Sequence, residues 1–249
     1  MPPSLVSGHL PTTKLTNVSI LSIALNATYF AFLIHSGKLY DIGKWSSHSI
    51  LLLPGIELLK HYYVTKVLQL GGWNFGYGQE AGVSISQKPT SRYRWKWIDL
   101  VLQIGGILFV LMLSIVFFGF ICLILGAPLD QYEETVSLAA TLTTLTIFPI
   151  ILFIGHSDTL QLLFTETFKL RNFIANSYLA LLKNNFIAVI LGAWGASVVA
   201  PLDWDRPWQV YPVPNIVGAV AGAFGMSVFT LLSTGYIAIR KSGENKRIV

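Results

Sequence analysis

Residues 100–129 read LVLQIGGILFVLMLSIVFFGFICLILGAPL and contain no charged side chain between Asp99 and Asp130. The hydrocarbon core of a bilayer is about 30 Å thick and an α-helix rises about 1.5 Å per residue, so about 20 apolar residues can cross it. A soluble helix of this length needs a polar face, and this stretch has none. It therefore predicts a transmembrane helix over residues 98–125.

Working outward from this helix, the same test finds five further windows. Four of them carry no Asp, Glu, Lys or Arg, namely 15–36, 135–155, 184–201 and 215–239. The fifth window, 49–70, contains Glu57, Lys60, His61 and Lys66. Since Lys60 and His61 follow Glu57 by three and four residues, the charges can pair on one helix face. A helix lying on the membrane surface is the alternative, and we favour a sixth span.

Composition agrees with a chain that lies mostly in lipid. Only 12% of the 249 residues are charged and 53% are hydrophobic, whereas an ordinary globular domain carries about 25% charged residues. The net charge of +5 does not indicate nucleic-acid binding, because the basic residues lie between apolar windows. We expect an all-α, polytopic membrane helix bundle of about six transmembrane helices.

The basic residues predict the orientation of the bundle. With six spans, twelve Lys and Arg lie on the side that holds both termini, loop 71–97 and segment 155–184, against three on the other side. Because positive residues accumulate on the cytosolic side of membrane proteins, both termini and loop 71–97 are predicted to be cytosolic. Apolar residues recur at helical spacing in segment 158–182, which predicts an interfacial helix on the same side.

The sequence contains no motif for catalysis or for a bound cofactor. It lacks a P-loop, a G-x-S-x-G, an H-E-x-x-H and a paired Cys-x-x-Cys, and its five histidines are scattered. Asp203 and Asp205 provide two carboxylates, which is too few ligands for a metal site. We therefore predict no catalytic residue, no cofactor and no metal site.

Small residues recur in the last two predicted spans at the spacing that lets helices approach closely. They are Gly192 and Gly195 in the fifth span, and Gly218, Gly222 and Gly225 in the sixth. Such glycines pack helices together within one chain or dock another subunit. The sequence leaves both interpretations open, and we favour internal packing.

Glu57, Lys60 and His61 form the charged cluster that is predicted to lie within the membrane. Ionisable residues inside a bilayer usually serve a function, such as a proton or ion relay or a contact to a lipid head group. A neutralised structural pair is the other interpretation, and the sequence does not separate the two.

The most distinctive stretch reads PLDWDRPWQVYPVP over residues 201–214 and joins the last two spans. Its four prolines forbid a continuous helix and stiffen the backbone. The stretch is either a rigid turn or a recognition surface on the lumenal side. The residues predicted for that surface are Asp203, Trp204, Asp205, Arg206, Pro207 and Trp208.

This stretch, with Leu191-Gly192-Ala193-Trp194 before it and a small-residue span after it, resembles the phosphatidylinositol-glycan biosynthesis class F family (Pig-F). The motif covers about residues 190–225, and the all-helical layout agrees over nearly the whole chain. One departure is Tyr211 before Pro212, where the family pattern has Trp.

The resemblance implies a non-catalytic, stabilising subunit in the endoplasmic reticulum membrane. It implies as partners the large ethanolamine-phosphate transferase subunits Pig-O and Pig-G, which modify mannoses of the glycosylphosphatidylinositol (GPI) precursor. Two other functions remain as alternatives. One is a lipid or ion transporter that uses Glu57, Lys60 and His61, and the other is a stand-alone membrane lipid enzyme.

Overall fold

The computed structural model describes residues 10–45, 48–68, 96–164, 173–199 and 206–245, and within these ranges the chain is helical with no strand. The α-helices are α1 (Leu10–His35), α2 (Leu52–Leu68), α3 (Lys96–Ile124), α4 (Tyr132–Ile154), α5 (His156–Phe164), α6 (Phe173–Ala196) and α7 (Val213–Asn245). Short 3₁₀ turns occur at Ser49–Leu51, Ser197–Val199 and Pro207–Gln209. The predicted all-α class is confirmed.

Five of these helices are long and apolar enough to cross a membrane, namely α1, α3, α4, α6 and α7. The shorter α2 is not among them, since it has 17 residues and carries Glu57, Lys60 and Lys66. It nevertheless packs beside α1 and α4 and buries Leu53, Glu57 and Val64. The chain is therefore a polytopic membrane bundle, and both the crossing of α2 and the cytosolic side of the termini stay predictions.

Helix α4 lies at the centre of the bundle. Within the described residues, 83% of its span is buried, against 22–28% for the other four long helices. It is also rich in hydroxyl side chains, which are costly to bury unless they are hydrogen-bonded. Thr141 Oγ1 donates to the Ser137 carbonyl 2.9 Å away, one turn earlier, so this hydroxyl is satisfied by its own helix.

A proline in α4 explains a contact with α6. Pro149 has no N–H and therefore cannot bond to the Leu145 carbonyl one turn earlier. The Asn185 Nδ2 of α6 donates to that carbonyl over 3.0 Å. An unpaired carbonyl is costly in a membrane, so Asn185 compensates for the proline and joins the two helices.

The boundary between the predicted interfacial helix and the fifth span differs from the structure. Helix α6 starts at Phe173 and runs through Lys183 to Ala196 without a break. Ala175, Tyr178, Leu179 and Leu182 are buried in a core cluster with residues of α1, α2 and α4. Residues 173–182 thus belong to the bundle. The predicted span begins only after Lys183 because a lysine is expected to lie outside the membrane. A half-exposed lysine can instead bury its aliphatic stem while the helix continues through it.

The first part of the predicted interfacial segment is the nine-residue helix α5, which begins at His156 and packs against α3 and α4. Its His156 ring covers Gly106 so closely that a side chain at Gly106 would collide with it. Residues 165–172 of the predicted segment and residues 71–95 of the predicted cytosolic loop lie outside the described residues.

Candidate functional site

Helices α6 and α7 form a tight hairpin around three of the predicted glycines. A Cβ atom added at Gly192 would collide with the Gly218 carbonyl oxygen, and one at Gly218 would collide with that of Gly192. A Cβ at Gly222 would meet the Ala188 carbonyl in the same way. The two backbones therefore touch, which only residues without side chains allow.

The other two predicted glycines do not take part in this contact. Gly195 and Gly225 are exposed, and apart from their own helix backbone and chain neighbours no atom of the described residues lies within 4 Å of the position that a Cβ would occupy at either residue. The structure thus brings together Gly192, Gly218 and Gly222, and it leaves Gly195 and Gly225 on the outer surface.

Side chains of the α6–α7 connection and of the start of α7 donate hydrogen bonds to carbonyl groups at the C-terminal end of α6 and in the turn after it. Carbonyl groups in the last turn of a helix have no partner in the helix itself. Asn215 Nδ2, in the first turn of α7, donates to the Ala193 carbonyl in the last turn of α6 over 3.2 Å. Gln209 Nε2 of the connection donates over 3.2 Å to the carbonyl of Val199, in the 3₁₀ turn that follows α6. Gln209 Oε1 in turn accepts from the Arg206 backbone N–H at 3.0 Å. The connection is therefore fixed to the helix that precedes it.

The same connection is also fixed to α4 and to the segment after α1. The Tyr211 hydroxyl and Thr135 Oγ1 are 3.1 Å apart, and burial raises the pKa of Tyr211 to about 12 despite that hydrogen bond. Pro212 packs so closely on Gly43 that the glycine has no room for a side chain. Segments 36–45, 125–131 and 206–212 lie at this end of the bundle, which we call the loop end.

A further contact at the loop end joins the segment after α1 to α4. The Trp45 backbone N–H donates to Glu133 Oε1 in the first turn of α4. The segment holds its own ion pair, in which Lys44 Nζ lies 2.8 Å from Asp41 Oδ1. The adjacent Asp41 carboxylate accordingly raises the pKa of Lys44.

The predicted recognition residues divide into three groups. Arg206 and Pro207 are exposed. Trp208 is half-buried and packs against the main core cluster, so its ring supports the fold. Asp203, Trp204 and Asp205 lie outside the described residues.

The predicted polar cluster in α2 is closed inside the bundle. Lys60 Nζ lies 2.7 Å from Glu57 Oε1, and the two side chains are only 12% and 7% exposed. Lys60 also donates to Asn26 Oδ1 of α1 over 3.4 Å. Among the described ion pairs, Glu57 has Lys60 as its partner, and His61 is half-buried.

Several residues that hold the loop end were not predicted from the sequence. Gln209, Tyr211 and Asn215 lie within or beside the proline-rich stretch, but Thr135 and Gly43 are distant in sequence. Pro149 in α4 could have predicted the need for a donor such as Asn185, because a proline within a helix leaves the carbonyl one turn earlier without its N–H partner. Within the described ranges, no three His, Cys, Asp or Glu residues come together as a possible metal site.

A buried central helix rich in hydroxyl side chains, four further helices long and apolar enough to cross a membrane, and a fixed loop end together define a polytopic helical membrane protein. The model of the GPI biosynthesis protein family Pig-F matches residues 5–231. The chain therefore belongs to the Pig-F family.

Individual relatives agree with this family. A protein of Debaryomyces hansenii, "Glycosylphosphatidylinositol anchor biosynthesis protein 11", is 31% identical over 71% of this chain and 77% of its own length. The Kluyveromyces lactis protein of that name is 49% identical over 57 residues, which are 22% of this chain and 26% of that relative. The human "GPI ethanolamine phosphate transferase, stabilizing subunit" is 33% identical over 45% of this chain and 49% of its own length. No solved structure matches the chain.

Proposed function

We propose that this chain acts in GPI-anchor biosynthesis as a non-catalytic membrane subunit that stabilises an ethanolamine-phosphate transferase. Membership of the Pig-F family supports the pathway. The name of the human relative supports the role of a stabilising subunit. The large catalytic subunits Pig-O and Pig-G are the proposed partners, and the endoplasmic reticulum membrane is the proposed location.

The observation that best supports a partner is the exposed surface of the loop end. Large apolar side chains of the loop-end segments and of the first residue of α4 are exposed, as is Arg206: Trp45 is 59% exposed, Leu129 82%, Tyr132 69% and Val210 58%. Interfaces are rich in aromatic residues and arginine. Since the segments that carry them are fixed to α4 and α6, the surface is preformed and loses little freedom when a partner binds.

The polar cluster offers weaker support for the alternative, a lipid or ion transporter. A relay group has to exchange protons or ions with a path to water. Glu57 and Lys60 instead neutralise each other in a buried pair, and Asn26 adds a further contact. Through the contact from Lys60 to Asn26, this buried pair serves as a structural link between α1 and α2 and needs no transport function.

The test compares two triple variants in cells that lack the natural stabilising subunit. The loop-end variant carries Leu129→Ser, Arg206→Ala and Val210→Ser. The control variant carries Tyr236→Ser, Ile239→Ser and Arg240→Ala, which are similarly exposed residues at the far end of α7. We expect the loop-end variant to accumulate normally but to recover several-fold less transferase subunit on co-purification, while the control recovers wild-type amounts.

The subunit role is wrong if both variants retain the partner and Glu57→Gln alone abolishes surface GPI-anchored proteins in an assembled complex. That combination would favour the transporter. An equal loss of partner in both triple variants would show that the loop end has no special part in docking.

A further inference from the structure

A cavity of about 520 Å³ opens between α3 and α6 at the loop-end half of the bundle. Leu138 and Leu142 of α4 form its floor, and Phe118 and Ile190 line its two walls. Pockets that hold small molecules measure roughly 300–1,000 Å³ and are mostly apolar, and this cavity agrees in both respects.

The cavity opens toward the outside of the bundle. Phe117 of α3 and Trp194 of α6 stand at its rim and are 58% and 61% exposed. Both helices are long and apolar enough to cross the membrane. The opening therefore faces the hydrocarbon chains of the surrounding lipid.

The length of the cavity indicates what can occupy it. Its lining extends from Phe186 in α6 to Ser197 at the start of the 3₁₀ turn that follows, which is about 16 Å at about 1.5 Å per residue. That is about half of the hydrocarbon core, or one leaflet. The deepest lining residues of the two walls, Phe118 and Phe186, close the inner end with ring centroids 6.4 Å apart. A partner's transmembrane helix would need a groove along the whole span.

The polarity of the lining changes along the length of the cavity. The inner part is lined by phenylalanine and aliphatic side chains, whereas Tyr211, Asn215 and Ser197 line the part at the loop end. A membrane lipid has this arrangement, with an apolar chain inside the bilayer and polar groups at its surface. The Tyr211 hydroxyl and the Asn215 amide lie where the ester region of such a lipid would be.

We infer that this cavity binds one acyl chain of a glycerophospholipid from the leaflet at the loop end. This inference does not rest on the proposed subunit role. It assigns a lipid-binding function to residues other than the predicted recognition residues 203–208 and the Glu57 cluster.

The test uses phosphatidylcholine with a photoactivatable diazirine in the middle of one acyl chain, incorporated into membranes that hold the whole chain. Ile190→Trp fills the cavity, and Ile187→Trp is its matched control, because Ile187 is 55% exposed on the same helix and does not line the cavity. After illumination, mass spectrometry compares label on cavity peptides with label on the outer face of α3. We expect Ile190→Trp to lower this ratio several-fold and Ile187→Trp to leave it unchanged.

A second measurement needs no variant, because Cys122 is the single cysteine of the chain and lines the cavity. In delipidated detergent-solubilised protein, added phosphatidylcholine should slow the reaction of Cys122 with N-ethylmaleimide. A cysteine introduced at the exposed Leu129 of a Cys122→Ala chain should react at the same rate with and without the lipid.

Three results would overturn the inference. One is an equal label ratio in the wild type and in Ile190→Trp. Another is no protection of Cys122 by phosphatidylcholine. The third is that a photocrosslinking amino acid at residue 190 captures a partner subunit instead of lipid. Recovery of the transferase subunit is measured separately, so failure of the lipid site and failure of the subunit role can be told apart.

Discussion

Helices α3 and α4 are neighbours in sequence and in space, yet their environments are opposite. The most apolar window of α3 has a mean hydropathy of 3.1 and is 22% buried, whereas that of α4 has 2.1 and is 83% buried. In a soluble domain the more apolar helix would be the buried one. The order is reversed here because lipid is as apolar as a leucine side chain, so α3 gains nothing from leaving it.

This reversal shows what holds the bundle together. Its interior depends on close backbone contact, complementary packing and hydrogen bonds between helices such as that from Asn185 to the Leu145 carbonyl, which are the terms that remain when the hydrophobic effect between helices is absent. Its outer surface only has to be apolar. Paired substitutions of the same type, one inside and one outside, test that distinction.

The largest difference is expected between Gly192→Leu and Gly195→Leu. The first places a side chain against the Gly218 carbonyl and forces α6 and α7 apart, which costs about 3 kcal/mol or more. The second points into open space and changes stability by at most about 0.5 kcal/mol. Unfolding by sodium dodecyl sulfate in detergent micelles measures both, and equal effects would contradict the close contact.

A somewhat smaller difference is expected between Leu145→Ala in α4 and Leu113→Ala in α3. Leu145 is 1% exposed and Leu113 is 51% exposed. The cavity left at Leu145 costs about 2 kcal/mol or more, while lipid fills the space left at Leu113. The same titration applies. A loss at Leu113 as large as at Leu145 would mean that α3 is covered by protein.

Asn185→Leu is expected to cost about 1 kcal/mol, because it leaves the Leu145 carbonyl without a donor. Asn184→Leu is the control, since the adjacent Asn184 is exposed. Replacing Pro149 by alanine should restore the helical N–H and rescue Asn185→Leu. If the double variant is no more stable than Asn185→Leu, the proposed compensation is wrong.

The smallest effect is expected at the loop end, where Tyr211→Phe removes the hydrogen bond to Thr135 and costs about 0.5 to 1 kcal/mol. Tyr132→Phe, at a residue that is 69% exposed, should cost less.

The effect of Tyr211→Phe should also depend on pH. The pKa of Tyr211 rises from an ordinary 10.0 to about 12 in the folded protein, so its contribution is fully present below pH 10 and is lost between pH 10 and 12. The wild type should therefore exceed the variant equally at pH 6 and pH 9. If the stability difference between the wild type and Tyr211→Phe changes between pH 6 and pH 9, the raised pKa assigned to Tyr211 is wrong.

The sequence could predict an apolar helix because charge is costly in hydrocarbon wherever the helix packs. This is why α3, α4 and α7 each contain a long stretch without charged residues. It could not predict the start of α6 from Lys183, because a lysine ends a span only when its ammonium cannot reach a polar region. The sequence also could not predict which glycines lie at the contact between α6 and α7, since Gly222 and Gly225 belong to the same run of small residues.

The sequence by itself determined that this chain is a helical membrane protein, and its proline-rich stretch was enough to indicate the Pig-F family. Only the tertiary structure decided that α4 is central and that α6 and α7 touch at Gly192, Gly218 and Gly222. It also decided that an open cavity lies between α3 and α6. The physical reason is that transfer into lipid is a property of each segment, whereas packing depends on the rotation and neighbours of every helix.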